Sequence, residues 1–306
     1  MNQLATSMPA RRHIRLAIAP GRLIAWILLA ILLVITLMPI WMAIKTALTQ
    51  SGDLFVQSSD LLPRSATLVN FKRVLGLMSV DESLSAGGSG ADIDFLKALG
   101  NSVMFTSIIV VMQISCSAMA AYAFARLRFP GRSVLFGLFI GSMMVPTVVT
   151  FIPNFILMKE LGWLNTMTGM VAPFCLMQGF SVFFLRQFFL SIPRDLEEAA
   201  LLDGASHFYI FSRIVLPLSL TPIVTIAMLT GINMWNEFFW PYLVAKDDAH
   251  QVIPVALQAF KAQTPQGQPD WSGLMAATVI SIVPTILLLV AFSRRVVESV
   301  QFSGGK

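Results

Sequence analysis

The chain has 306 residues, 56% of them hydrophobic and 12% charged, with a formal net charge of +5. A soluble domain carries about twice that charged fraction, so the composition excludes an ordinary soluble enzyme and points to an integral all-α membrane protein. The positive charge is better explained by where the basic residues lie than by nucleic-acid binding, and no nucleic-acid partner is expected.

After a basic tail at 1–22, the first apolar run, 23–44, is long enough to cross a bilayer, which takes about 20 residues as a helix. It is too long for a signal-peptide core and no small-x-small cleavage site follows, so it is expected to be retained. Residues 46–98 form an outer excursion, in which Ser85-Ala-Gly-Gly-Ser-Gly90 reads as a flexible link or loop tip. Further spans are expected at 99–124, 134–157, 166–186, 211–236 and 272–293. Pro217 and Pro222 interrupt the fifth, which neighbouring helices can accommodate. Residues 191–213 form a cytoplasmic segment between the fourth and fifth spans. Residues 238–271 form a second outer loop with Pro241, Pro254, Pro265 and Pro269 and little helical periodicity. Residues 294–306 close the chain as a tail.

With the N-terminus inside, thirteen of the 21 Lys and Arg residues fall in inner segments and eight in the longer outer ones. That bias predicts both termini in the cytoplasm. Cys116 and Cys175 lie in apolar runs and make no disulfide framework. Ionisable residues are missing from the span interiors; Arg186 and Arg213 stand towards span ends. A stand-alone secondary carrier commonly uses such residues as relays, so this reading is disfavoured. There is no Gly-x4-Gly-Lys-Ser/Thr loop, no metal-ligand spacing among His13, His207 and His250, and no catalytic cluster. A membrane-embedded enzyme is therefore the weakest reading, and any energy for uphill transport must come from another chain.

Segment 191–217 has a helix–turn–helix grammar. Pro193 can open a helix, and Asp195, Glu197 and Glu198 complement its N-terminal dipole. Ala199, Ala200, Leu201 and Leu202 propagate it. Gly204 suits a left-handed C-terminal cap, and Ser206 can cap a second helix. The alanines leave a low-relief face fit for a groove on another protein; an ordinary amphipathic surface helix is the competing reading.

The string Glu198-Ala199-Ala200-x2-Asp203-Gly204-Ala205-x8-Ile214-x-Leu216-Pro217 resembles the EAA motif of inner-membrane permease subunits of binding-protein-dependent ABC importers. Ala125-Arg-Leu-Arg-Phe-Pro130-Gly131-Arg132, Met144-Val-Pro146-Thr-Val-Val-Thr150-Phe-Ile-Pro153, Leu161-Gly162-Trp-Leu-Asn165-Thr166 and Trp235-Asn236-Glu237-Phe-Phe-Trp240-Pro241 are similar to the carbohydrate-uptake branch, specifically the maltose-type second permease. The resemblance covers the first span and most of the chain from about residue 100. It implies a type I importer architecture of six transmembrane helices in a bacterial or archaeal plasma membrane. It implies a second homologous permease, a dimeric ABC ATPase that binds the ATP and Mg, and an extracytoplasmic solute-binding protein as partners. No cofactor is expected in this chain. Glu198, Ala199, Ala200, Asp203, Gly204 and Ala205 would then form the coupling helix that enters the ATPase.

Amides and aromatics inside spans suit a polyhydroxylated solute, and Asn154, Gln178, Asn233, Asn236 and Trp235 are the candidates for its path. The competing reading is that these residues tie helices together or anchor span ends. The resemblance also implies that Thr264, Gln266 and Gln268 of the outer loop can touch the binding protein; an ordinary solvated connector is the competing reading. The expected cargo is a sugar or related polar metabolite; glycerol phosphate or its diesters is the alternative within the same superfamily.

Overall fold

The computed structural model describes residues 20–56, 60–63, 65–89, 93–261 and 268–304, with side chains from 21 through 292. Among these residues every regular element is helical. In order they are α1 (Pro20–Leu48), α2 (Val69–Val74), α3 (Val80–Ser85), α4 (Phe95–Arg126), α5 (Arg132–Ser142), α6 (Thr147–Glu160), α7 (Met167–Val171) and α8 (Gly179–Ser191). Then come α9 (Asp195–Leu202), α10 (His207–Ile210), α11 (Leu216–Leu218), α12 (Leu220–Trp235), α13 (Phe239–Val244), α14 (Ile253–Ala256) and α15 (Trp271–Gly304). The chain divides into two units, Met1–Ala43 and Ile44–Lys306.

Three stretches are single helices long and apolar enough to cross a membrane: Gly21–Leu48, Phe95–Arg126 and Trp271–Phe292. The other three expected spans are not straight helices. Arg132–Ser142 and Thr147–Glu160 meet at 97°, Met167–Phe174 and Gly179–Ser191 at 49°, and His207–Leu218 and Leu220–Trp235 at 79°. The causes are local. Pro146 disfavours helical backbone at the residue before it and sits at the N-cap of α6. Pro217 and Pro222 flank Ser219, whose backbone leaves the helical region, and Pro222 cannot donate to the carbonyl four residues back. Gln178 is extended, and the following Gly179 lets α8 approach α5: a Cβ there would stand 2.6 Å from the Phe139 carbonyl oxygen.

The apolar packing of the second unit has three centres. One joins the C-terminal half of α4 to α8 and to residues 210–226, through Tyr122, Leu185, Phe189, Ile210 and Val215. A second brings Ala47, Phe95, Trp235, Phe260 and Ala276 together. The third surrounds Phe105, Met170 and Trp240. α4 is common to all three, packing on α8 and α12, while α12 also packs on α15.

Within segment 46–98, two of the glycines expected to form a flexible link or loop tip are packed. Gly87 and Gly88 are buried, and Gly87 has φ +86°. A Cβ on Gly88 would lie 2.0 Å from Arg73 Nη1. That guanidinium forms a two-pronged ion pair with Asp270, Nη1 to Oδ2 at 2.8 Å and Nη2 to Oδ1 at 3.2 Å, with side chains 3% and 1% exposed. The glycines therefore close over a buried charge pair. Residue Gly90 lies outside the described residues. Segment 238–271 also folds more than its prolines suggested, into α13, α14 and a 3-10 turn at Leu257–Lys261. Runs of four to six residues are too short to display a period, which is why sequence reading missed them.

Candidate functional site

Two of the three helix breaks, the one before α6 and the one before α8, border a pocket of about 340 Å³. α6 supplies Thr147, Thr150, Phe151 and Asn154; the end of α12 and the turn after it supply Thr230, Asn233, Met234 and Glu237. Each set has the spacing i, i+3, i+4, i+7, so each forms one stripe of a helical face. Gln113 of α4, the extended segment through Gln178, and Trp240 complete the wall. In a bilayer, irregular backbone is tolerated where it is buried in protein or borders a water-filled cavity, and this pocket provides that setting.

The polar groups are arranged by specific bonds. Gln113 Nε2 donates to Gln178 Oε1 at 3.3 Å, and the Gln178 backbone N–H donates to Ser117 Oγ at 3.3 Å. Trp240 is fully buried; its Nε1 donates to the carbonyls of Gly169 and Met170, and its backbone N–H donates to Glu237 Oε1 at 3.1 Å. Phe151 stacks near the Trp240 ring, with centroids 6.3 Å apart and planes 20° apart. Among the described residues the amides of Asn154 and Asn233 make no hydrogen bond, which leaves them available to a ligand. The site thus offers amides, hydroxyls, aromatic faces and a single carboxylate, and no lysine or arginine.

Three of the five expected path residues, Asn154, Gln178 and Asn233, are brought together here. The other two are not. Trp235 is 8% exposed in the second apolar centre and its Nε1 donates to the Ser281 carbonyl at 3.1 Å. Asn236 donates its amide to the Ile232 carbonyl at 2.7 Å. Both fall off the 230–233–234–237 stripe. That stripe, and its partner in α6, was the signal by which Thr147, Thr150, Thr230 and Glu237 were recoverable from sequence.

The motif segment has the expected local form. α9 ends in a Schellman arrangement: Ala205 N–H donates to the Ala200 carbonyl, Gly204 N–H to that of Leu201, and Gly204 has φ +82°. Ser206 Oγ accepts from Tyr209 N–H at 3.2 Å and so caps α10. Ala200 and Ala205 pack against the first apolar centre. Glu198, Ala199, Asp203 and Gly204 are exposed, and beside them Leu202 is 90% and Phe208 73% exposed.

Sequence reading did not single out the contact that holds α9 in place. Arg126, at the end of α4, pairs with Glu197 through Nε and Oε1 at 2.7 Å, with side chains 4% and 11% exposed. Its Nη2 donates to the Phe189 and Ile192 carbonyls at 2.6 and 2.7 Å. The Nε–H is not aimed along the ion-pair contact, so charge rather than a directional bond holds that pair. Burial pushes the Glu197 carboxyl above its usual range, against the opposing pull of Arg126, Arg194 and His207. Asp195, Glu197 and Glu198 put three carboxylates within one turn, and nothing in the sequence marks which of them turns inward.

Gln268 is exposed and lines a cleft of about 140 Å³ with Ser51, Gly87 and Asp270. Thr264 and Gln266 lie outside the described residues. No cluster of His, Cys, Asp or Glu suited to a metal occurs among the described residues.

Residues 113–301 match the family described as binding-protein-dependent transport system inner membrane component. The chain is 31% identical over 281 residues to a probable ABC transporter permease protein, YurM of Bacillus subtilis, covering 92% of this chain and 87% of that one. It is 31% identical over 267 residues to the trehalose/maltose transport system permease protein MalG of Thermococcus litoralis, covering 87% and 90%. It is 29% identical to the sn-glycerol-3-phosphate transport system permease protein UgpE of Salmonella typhi, covering 86% and 90%. Its fold is like that of a chain from a bacterial ABC transporter that imports the acidic polysaccharide alginate, with TM-score 0.76, 22% identity, and 94% and 99% covered.

Proposed function

The chain belongs to the family of inner membrane components of binding-protein-dependent transport systems, and on that premise we propose that it is one permease subunit of an ATP-driven importer of a sugar or related polar metabolite. Six crossings with both termini in the cytoplasm result if each bent helix pair serves as one span. A second permease completes the pore, a dimeric ATPase docks on the cytoplasmic side, and a binding protein delivers cargo outside.

The observation that carries this reading is α9. It bears the motif, exposes Glu198, Ala199, Asp203 and Leu202, and is pinned at its base by Arg126. The exposed side suits docking in a cleft of the ATPase, with Ala199 allowing close approach and the two carboxylates meeting donors there, while Ala200 and Ala205 turn inward against the first apolar centre. When the ATPase dimer closes, α9 moves, and two connections reach the pocket. One is covalent, through α10 and α11 into α12, which carries Thr230 and Asn233. The other runs through Arg126 into α4, which carries Gln113 about 20 Å away along the helix.

The pocket supports a polyhydroxylated cargo: amides bond hydroxyls, and aromatic rings cover the C–H faces of a sugar. The glycerol phosphate alternative is less well supported. A phosphate calls for Arg or Lys, and Glu237 is the pocket's one charged side chain. Gln268 and its neighbouring loop residues Thr264 and Gln266 are proposed to meet the binding protein.

The test uses the full importer reconstituted with its partner subunits. Gly204→Asp is expected to insert normally yet lose both uptake and the stimulation of ATP hydrolysis by loaded binding protein. Normal uptake with normal stimulation in that variant would refute the assignment of α9. Transport by the isolated chain without ATP would refute the importer reading as a whole.

A further inference from the structure

Arg128, Arg132 and Arg186 line one pocket of about 380 Å³ with Phe129, Ser133 and Phe136, and no carboxylate lines it. They come from three places: the turn between α4 and α5, the first residue of α5, and α8. Two are held in position. Arg186 Nε donates to the Phe124 carbonyl at 3.1 Å, and its guanidinium carbon stands 4.2 Å from the centre of the Phe136 ring. Arg132 Nη1 donates to the Leu127 carbonyl at 3.0 Å. Each anchor occupies one guanidinium N–H of five, and among the described residues none of the three arginines forms an ion pair. Arg126, two residues from Arg128, is the contrast: its guanidinium is taken up by Glu197 and two carbonyls.

A positive-inside bias needs only basic residues near span ends. It does not need three guanidinium groups from separate elements around one cavity, where they repel each other unless an anion sits between them. The planar fork of arginine matches phosphate oxygens two at a time. The rings of Phe129 and Phe136 add an apolar wall beside the charge, which suits the junction of a phosphate with glycerol and acyl chains. Soluble phosphate has no use for such a wall. Basic pockets among span ends are sites where anionic headgroups settle. We infer that this pocket binds a phosphate diester presented by the headgroup of an anionic phospholipid. The inference is independent of the cargo reading, and depends on the proposed orientation only for the choice of leaflet.

The importer, purified with its partner subunits and stripped of lipid in mild detergent, is titrated with phosphatidylglycerol, with phosphatidylcholine of the same chains, and with soluble glycerol phosphate, and bound molecules are counted by native mass spectrometry. Phosphatidylglycerol is expected to bind selectively. Arg132→Gln and Arg186→Gln should each weaken it about fivefold, while Arg22→Gln, an exposed charge outside the pocket, should not. If the glutamine variants fail to insert, the charge-preserving Arg132→Lys/Arg186→Lys variant carries the test, with weaker binding expected in an assembled complex. Equal binding of the two lipids, or unchanged phosphatidylglycerol binding in the pocket variants, would overturn the site. Displacement of the lipid by equimolar glycerol phosphate would overturn the lipid as its source. Loss of the ATPase from the pocket variants with lipid binding intact would overturn it in favour of an acidic protein surface.

Discussion

Replacing Arg126 by Met tests whether α9 is braced to α4. The substitution removes a buried positive charge 2.7 Å from Glu197 and the donors to the Phe189 and Ile192 carbonyls, while keeping an aliphatic stem of similar length. Deleting one partner of a buried ion pair costs about 3–5 kcal/mol, because the other charge is left without compensation. The two carbonyls add to this, but not additively. The cost should fall on the docking of α9 rather than on the whole fold, since the apolar centre around Leu185, Phe189 and Ile210 is untouched. A loss of about 3 kcal/mol corresponds to a more than hundredfold rise in the open population. Hydrogen exchange of amides 198–205 in the nucleotide-free importer should accelerate accordingly, and ATP hydrolysis should lose its coupling to uptake. Arg126→Met combined with Glu197→Leu should recover most of the exchange protection, because no buried charge then remains unpaired. Unchanged exchange in Arg126→Met, or no recovery in the double variant, would refute the brace.

The same site makes a pH prediction. Burial holds the folded Glu197 carboxyl above the ordinary carboxylate value of 4.5. Its contribution to stability is therefore fully present below that value and is lost as pH rises through the raised folded value. Protection of α9 should decline across that window, and Glu197→Gln should flatten the decline. Gly88→Ala should push Arg73 away from Asp270, since the new Cβ would stand 2.0 Å from Nη1. A lowered thermal unfolding midpoint is expected; a midpoint equal to wild type would mean the pair tolerates displacement. Asn154→Ala and Asn233→Ala should each lower uptake of a sugar cargo about fivefold, as expected for one lost hydrogen bond of about 1 kcal/mol. Unchanged rate and affinity in both would remove these amides from the solute path.

The helical class was legible because apolar runs of span length are imposed by the bilayer itself. The form of the motif segment was also legible, since Gly204 and Ser206 act through their own backbone and side-chain chemistry within a few residues. The bends were half legible: Pro146, Pro217 and Pro222 announce breaks, but not angles of 97° and 79°. The pocket was partly legible in Asn154, Gln178 and Asn233, and more was written in the two helical stripes than in the amides alone. Trp235 packs in the second apolar centre rather than in this pocket, and an aromatic beside a polar pair looks the same in sequence whether it faces a cavity or a packed core.

Composition, span lengths and the motif are local or additive properties, and they suffice for a helical membrane subunit with a short capped helix at the motif. Pairings between distant residues are of another kind. Arg126 with Glu197, Arg73 with Asp270 and Arg128 with Arg132 and Arg186 are separated by loops whose geometry no local rule supplies. Only packing decides which of several similar charges turns inward, because burial makes an ion pair depend on shape as well as sign. Thus α9 was visible in the chain as a capped helix bearing the motif, while its attachment through Arg126 to α4 became visible only in the folded molecule.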